Sequence, residues 1–173
     1  MQNPPTDEDL MDAVRDGSED AYGALFERYR APLYGFSMRM TRHRETADDV
    51  FQETFLRVYR ARSTWSHQDG SFRSWLFRIA VNTIRDRARA AARRPEVLGD
   101  DWEPAYQGAP DDRIALERAL AALPDNLRDA FLLGAVAGLD HNEVAGALGV
   151  SPDNARARIS RARSRLRELL EES

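Results

Sequence analysis

The binding chemistry legible in this chain of 173 residues is carried by arginine. All 25 of its Lys-plus-Arg positions are arginine, set against 29 Asp-plus-Glu, for a formal net charge of −4. Taken alone, that total argues against a simple nucleic-acid binder, because neutralising phosphate needs positive charge. The distribution points the other way. Residues 85–94 hold five arginines and one acid, Asp86; residues 96–112 hold six acids and no base; residues 156–167 hold six arginines and no acid. Like charges crowded onto one stretch repel unless an anion lies opposite, which points to a polyanion such as nucleic acid. A solvated helix face is the plainer alternative, and the lack of lysine also fits a GC-rich genome.

Other chemistries are poorly supplied. There are no cysteines, so disulfides, thiolate metal sites and cysteine nucleophiles are excluded. Of the three histidines, His43, His67 and His141, no two stand at ligand spacing, and no glycine-rich phosphate loop occurs. The expectation is a protein that is not an enzyme, with no metal and no cofactor. Aromatic residues add a second binding chemistry. Trp65 with Ser66 and His67, then Phe72, Arg73 and Trp75, put rings beside arginine, the combination that holds unstacked bases. The same rings also suit a helix packed on both flanks.

The elements that must carry these residues are helices. Composition is that of a globular chain, 42% hydrophobic and 31% charged, with no alternating strand pattern. No apolar run approaches the ~18 residues of a membrane helix. The polar, acidic N-terminus is not that of a signal peptide, so a cytoplasmic location with no membrane insertion is expected. Pro95, Pro104, Pro110, Gly99 and Gly108 mark an aperiodic linker. The expected organisation is therefore all-α: a first domain over 1–94, a flexible acidic linker over 95–112 and a second domain over 113–173.

In the first domain, a helix over 7–16 is followed by one capped by Ser18 and running to 29. Pro32 restarts a helix to about 40, residues 42–45 form a polar turn, and Thr46 caps a helix over 47–62. There Phe51, Phe55, Val58 and Tyr59 form one apolar stripe, with Asp49, Gln52 and Glu53 largely off it. Asp48 and Asp49 suit the positive end of the helix dipole; Glu53, a turn further on, suits it less. A loop over 63–70 leads to a long helix over about 71–93. In the second domain, helices are expected over about 114–122 and 125–137. Asp140 with Glu143 has capping-box spacing, Gly149 permits a tight positive-φ turn, and Ser151-Pro152 opens a last helix.

That succession is a helix-turn-helix. Val144, Leu148, Val150, Ala155 and Ile159 would fill its wedge. Asp153, Asn154, Arg156, Ala157 and Ser160 point away from the last helix's apolar stripe, where a recognition helix meets base edges; Arg161 and Arg163 flank them and suit phosphates. A helical hairpin with no nucleic-acid role is the alternative.

Three segments together resemble one family, the extracytoplasmic-function (ECF) sigma factors of the sigma-70 family. Residues 48–55, reading DDVFQETF, are similar to the segment that binds the clamp helices of the RNA polymerase β′ subunit. Residues 70–76, GSFRSWL, followed by IAVN at 79–82, resemble the segment that opens and reads the minus-ten element. Leu123-Pro124, residues 140–145 and residues 155–163 resemble the domain that reads the minus-thirty-five element. The likeness runs from Asp7 to Leu170. It implies polymerase contacts at Asp48, Asp49, Gln52, Glu53 and Phe55. It implies minus-ten DNA contacts at Trp65, Ser66, His67, Phe72, Arg73, Trp75, Asn82 and Arg85. It assigns minus-thirty-five DNA to the recognition-helix residues already named. The implied partners are core RNA polymerase through its β′ clamp helices and β subunit, promoter DNA and an anti-sigma factor. The family's N-terminal inhibitory region and middle domain have no counterpart in the match. Asp153-Asn154-Ala155 departs from the common recognition-helix pattern, which leaves the promoter sequence open.

A stand-alone helix-turn-helix repressor would need a dimer interface and palindromic half-sites. It accounts for residues 140–167 but not for residues 48–55.

Overall fold

The structure, a computed structural model, describes residues 3–93 and 111–171. These form eight α-helices and two short 3-10 turns, with no strand among the described residues. The 95–110 part of the expected linker lies outside the described residues, and Asp111 and Asp112 belong to the first turn of a helix.

Helix α1 (Asp7–Arg15) opens on a capping box: Thr6 Oγ1 accepts from Asp9 N, and Asp9 returns the bond to Thr6 N. Helix α2 (Glu19–Thr41) is capped by Ser18, as expected, but it does not stop before Pro32. Proline forfeits one backbone donor and crowds the preceding turn. Here Leu25, Tyr29, Leu33 and Phe36, at most 4% exposed, lie along one stripe that straddles Pro32 and holds both halves on one axis. The polar turn before α3 is also shorter than its composition suggests. Arg42 takes a left-handed φ of 60° at the end of α2, and α3 (Arg44–Arg60) starts at once, leaving Thr46 inside it.

Residues 62–64 and 67–69 are the two 3-10 turns, and α4 (Phe72–Ala92) follows. Its N-cap Ser71 accepts from Ser74 N, while Glu8 of α1 accepts from Phe72 N at 3.0 Å. One helix thus satisfies an orphan donor at the start of another. The first-domain core lies between α2, α3 and α4, where Phe36, Phe55, Phe72 and Phe77 are 0–2% exposed.

Helices α5 (Asp111–Ala122) and α6 (Asp125–Ala135) lead to α7 (His141–Leu148) and α8 (Pro152–Glu171). The helix-turn-helix is built as read. Asp140 and Glu143 exchange both capping-box bonds, Gly149 has φ 67°, and Ser151 Oγ accepts from Asn154 N. Val144, Leu148, Ala155 and Ile159 are buried in the wedge. Gly134 stands inside α6 with ordinary room for a methyl group, so packing does not explain it. Asp140→Ala removes one cap side chain from α7 and should lower stability by about 1 kcal/mol, read by denaturant titration. An unchanged midpoint would show that the box contributes nothing.

The two halves of the chain are in contact. Helix α4 packs on α7 and α2 on α6, so the described residues are not two modules held apart. No helix among them is long and apolar enough to cross a membrane.

Candidate nucleic-acid interface

Helix α8 presents the expected division of faces. Ala155, Ile159, Ala162 and Leu166 are 0–6% exposed on the inward side. Asp153, Asn154, Arg156, Ala157, Ser160, Arg161 and Arg163 are all exposed on the other. Arg156 pairs with Asp153 at 3.2 Å, so it is not wholly unpaired. Arg161 Nε donates to Ala157 O at 3.3 Å within the helix. Arg158, Arg163 and Arg167 have no carboxylate within ion-pair distance among the described residues. Uncompensated guanidinium groups on an exposed face suit phosphate oxygens.

Helix α4 differs in kind. Its arginines are engaged: Arg73 with Glu143 at 3.9 Å, Arg85 with Asp129 at 3.3 Å, Arg87 with Asp49 at 3.1 Å and Arg89 with Asp86 at 2.6 Å. Hydrogen bonds from Arg57 and Arg89 hold the Asp86 carboxyl below the usual carboxylate range. Asp129 is 5% exposed, and burial pushes its carboxyl up despite Arg85. Asn82 is exposed, and Trp75 is half-buried.

Two of the aromatics read as base contacts are core residues. Trp65 is 2% exposed and Phe72 fully buried, their rings meeting edge to face with centroids 6.0 Å apart. Neither can stack on a base in this conformation. Tyr29 of α2 meets the Phe72 ring, and α1 packs against both the 62–64 turn and α4. Of the other residues expected to meet DNA in this turn, Ser66 is half-buried and His67 exposed, its Nε2 2.8 Å from Asp12 of α1.

An exposed aromatic lies elsewhere. Tyr59, expected in the apolar stripe of α3, is 39% exposed, with the Arg62 guanidinium 4.1 Å from its ring centroid. A separate open groove of about 410 Å³ is lined by Arg57, Arg60, Ala61, Ile79 and Asn82, whereas the Tyr59 ring rests on Tyr22 of α2. The Tyr59 ring with the Arg62 guanidinium is an exposed stacking surface of the kind that suits an unpaired base. The signal for it was an aromatic set among arginines at 57–62, masked by the helical spacing that tied Tyr59 to Phe55.

The acidic segment on α3 splits between two faces. Asp48 and Gln52, one turn apart, reach a groove of about 720 Å³ between α2 and α3, backed by Phe26, Tyr34 and Phe51. Burial, with Asp48 alongside, raises the Tyr34 hydroxyl above the ordinary tyrosine range. Asp49 turns to Arg87, and Glu53 accepts from Arg57 Nε at 2.8 Å. Phe55, expected at the polymerase contact, is 2% exposed and packs on Phe26 and Phe51. It can shape the α3 surface but not touch a partner in this conformation. Among the described residues no group of three or more His, Asp or Glu is placed to hold a metal ion.

Comparison with known proteins matches residues 25–94 to the family described as "Sigma-70 region 2" and residues 113–166 to "Sigma-70, region 4". The chain is 37% identical to the RNA polymerase sigma factor CarQ of Myxococcus xanthus, over 94% of this chain and 96% of that protein. It is 34% identical to the ECF RNA polymerase sigma factor SigE of Mycolicibacterium smegmatis, over 96% of this chain and 70% of that one. Among solved structures it resembles CnrH in complex with the cytosolic domain of CnrY, with a TM-score of 0.76 and 30% identity, covering 96% and 98% of the two chains.

Proposed function

The chain belongs to the ECF branch of the sigma-70 family, and from that premise we propose how its surfaces divide the work of a promoter-specific transcription initiation factor. Sigma factors are non-enzymatic, and this chain does its work by binding. Residues 1–94 form a domain that docks on core RNA polymerase and meets the minus-ten element. Residues 95–110 serve as an acidic connector, and the helices from Asp111 onward read the minus-thirty-five element as duplex. The protein works in the cytoplasm, where polymerase and promoter are, and an anti-sigma factor holds it until it is needed.

The observation that carries this reading is the contrast in charge between α3 and α8. Asp48, Asp49 and Glu53 stand within two turns of α3, Asp48 at the α2–α3 groove and the other two in surface pairs with Arg87 and Arg57, while Arg158, Arg163 and Arg167 stand uncompensated on α8 among the described residues. One face suits a basic protein partner and the other suits phosphate. On α8, Asp153, Asn154, Arg156, Ala157 and Ser160 face base edges and Arg161 and Arg163 the backbone. On the first domain, His67, Ser66, Asn82 and Arg85 meet the opened minus-ten strand, joined by Tyr59 and Arg62. Docking on polymerase fixes the separation of the two readers, so the second contact becomes effectively intramolecular.

Docking is tested by Asp49→Ala with Glu53→Ala. Both acids sit in exposed or half-exposed surface pairs worth ~0–1 kcal/mol each, so the fold should survive. Affinity for core polymerase, measured by fluorescence anisotropy, should fall about tenfold, as when charged partners are truncated at an interface. The isolated chain's duplex binding should not change. Wild-type affinity for core polymerase would rule out this face as the docking site.

A further inference from the structure

The contact between the two domains has a one-sided chemistry. Ser71 Oγ donates to Glu143 Oε1 at 2.7 Å, Ser74 Oγ to Glu143 O at 2.9 Å, and Arg78 Nε to Gly146 O at 2.8 Å. Arg73 lies 3.9 Å from Glu143, Arg85 3.3 Å from the buried carboxyl of Asp129, and Arg39 3.5 Å from Glu117. Each of these donors belongs to the first domain and each acceptor to the second. Five of the six donors stand on α4 or at its cap. A surface that offers only acceptors, with carboxylates among them, resembles the phosphate edge of a nucleic-acid strand, which has oxygen acceptors and no donors.

The approach is also close by construction. A Cβ at Gly146 would lie 2.4 Å from Ser74 Oγ. Glycine is the residue that lets α7 come this near. Glu143 serves twice: one carboxylate oxygen caps α7 through Asp140 N, and the other accepts from Ser71. The recognition helix α8 is left out of the contact's charge balance, with Arg158, Arg163 and Arg167 uncompensated among the described residues.

We infer that the Glu143–Gly146 edge of α7, with Asp129 of α6, is an internal stand-in for a nucleic-acid strand on α4, latching the chain in a closed form that masks the Ser71–Arg78 edge of α4 and leaves α8 uncovered. The inference rests on the reading of the chain as a sigma factor. In the closed form α8 can touch duplex and the groove at Ile79 and Asn82 stays open, but the opened strand can reach the Ser71–Arg78 edge of α4 only after α7 leaves. Polymerase supplies the opening by holding the two domains apart. Ser71, Ser74 and Arg78 then exchange Glu143 and Gly146 for strand oxygens.

The chain has no native cysteine, so the latch can be locked reversibly. The Cβ positions of residues 74 and 146 lie 3.6 Å apart, inside the ~3.5–4.5 Å range of disulfides. The double variant Ser74→Cys, Gly146→Cys is mixed with core polymerase and a promoter template, oxidised or with dithiothreitol. Run-off transcript should be about tenfold lower for the oxidised chain and recover on reduction, because a covalently closed chain has no open population to recruit. Equal transcript from both forms overturns the latch while leaving the sigma reading intact. No transcript from the wild-type chain on any template overturns the sigma reading, and the latch with it. A second variant, Gly146→Leu, wedges the contact while favouring the helix, since leucine is the better helix former. Free of polymerase, it should bind the fluorescein-labelled single non-template strand of the same promoter several-fold more tightly than wild type. Unchanged binding overturns the latch.

Discussion

Replacing Phe77 with alanine should destabilise the folded chain by about 3–5 kcal/mol, the cost of emptying a fully packed aromatic site. Phe77 is 0% exposed on α4. Its ring meets Phe36 edge to face, with centroids 5.4 Å apart, and Tyr29 at 6.4 Å. It therefore joins α4 to α2 on both sides of Pro32. Its neighbour Tyr29 is anchored by a hydrogen bond to Asp7 of α1, so it cannot collapse far into the space left. Equilibrium denaturation should show the loss as a lower midpoint with little change in slope. Leu56→Ala, at a position 41% exposed on α3, is the matched control and should stay within about 0.5 kcal/mol. A Phe77→Ala loss near that of the control would mean the aromatic core is not built as described.

The triple variant Arg156→Ala, Arg161→Ala, Arg163→Ala should weaken holoenzyme binding to duplex minus-thirty-five DNA by about 100-fold at moderate salt. Arg156 accounts for ~1–3 kcal/mol as a base contact, and each phosphate contact for a step of roughly 0.9 in the slope of log affinity against log salt. The salt slope should therefore flatten as affinity falls. All three side chains are exposed and alanine is the best helix former, so α8 itself should be undisturbed. Arg156 alone should also relax preference at the base pair it reads. The competing idea, that these arginines only solvate a helical hairpin, requires unchanged affinity and an unchanged slope.

What was legible in the sequence was mostly local. The α7 capping box, the Gly149 turn and the Ser151-Pro152 start each depend on residues three or four apart, and each is in place. So is the outward face of α8, because one apolar stripe leaves no doubt about the other side. Reading failed where tertiary packing decides. Pro32 looked like a break, but the stripe through Tyr29 and Leu33 carries α2 across it. Trp65 and Phe72 looked like binding aromatics. Ring and arginine in one stretch do not tell which faces neighbouring helices cover, and both rings are buried. Tyr59 fails in the opposite sense, joining a stripe by spacing and yet reaching solvent at the end of α3. Glu143 is the most instructive position. The capping box explained it completely at short range, so nothing called for a second partner, yet its other oxygen meets Ser71, distant in the chain.

The two separate readers that the linker suggests are packed domains among the described residues, and their separation is a step of the proposed mechanism. The central claim remains that this chain converts core polymerase into a promoter-reading enzyme. Reconstituted run-off transcription across a promoter library tests it most directly. Core polymerase with the chain should give discrete transcripts from a subset of templates that core alone leaves silent. No chain-dependent transcript, together with tight sequence-specific duplex binding by the free chain, would contradict the account and favour a stand-alone repressor.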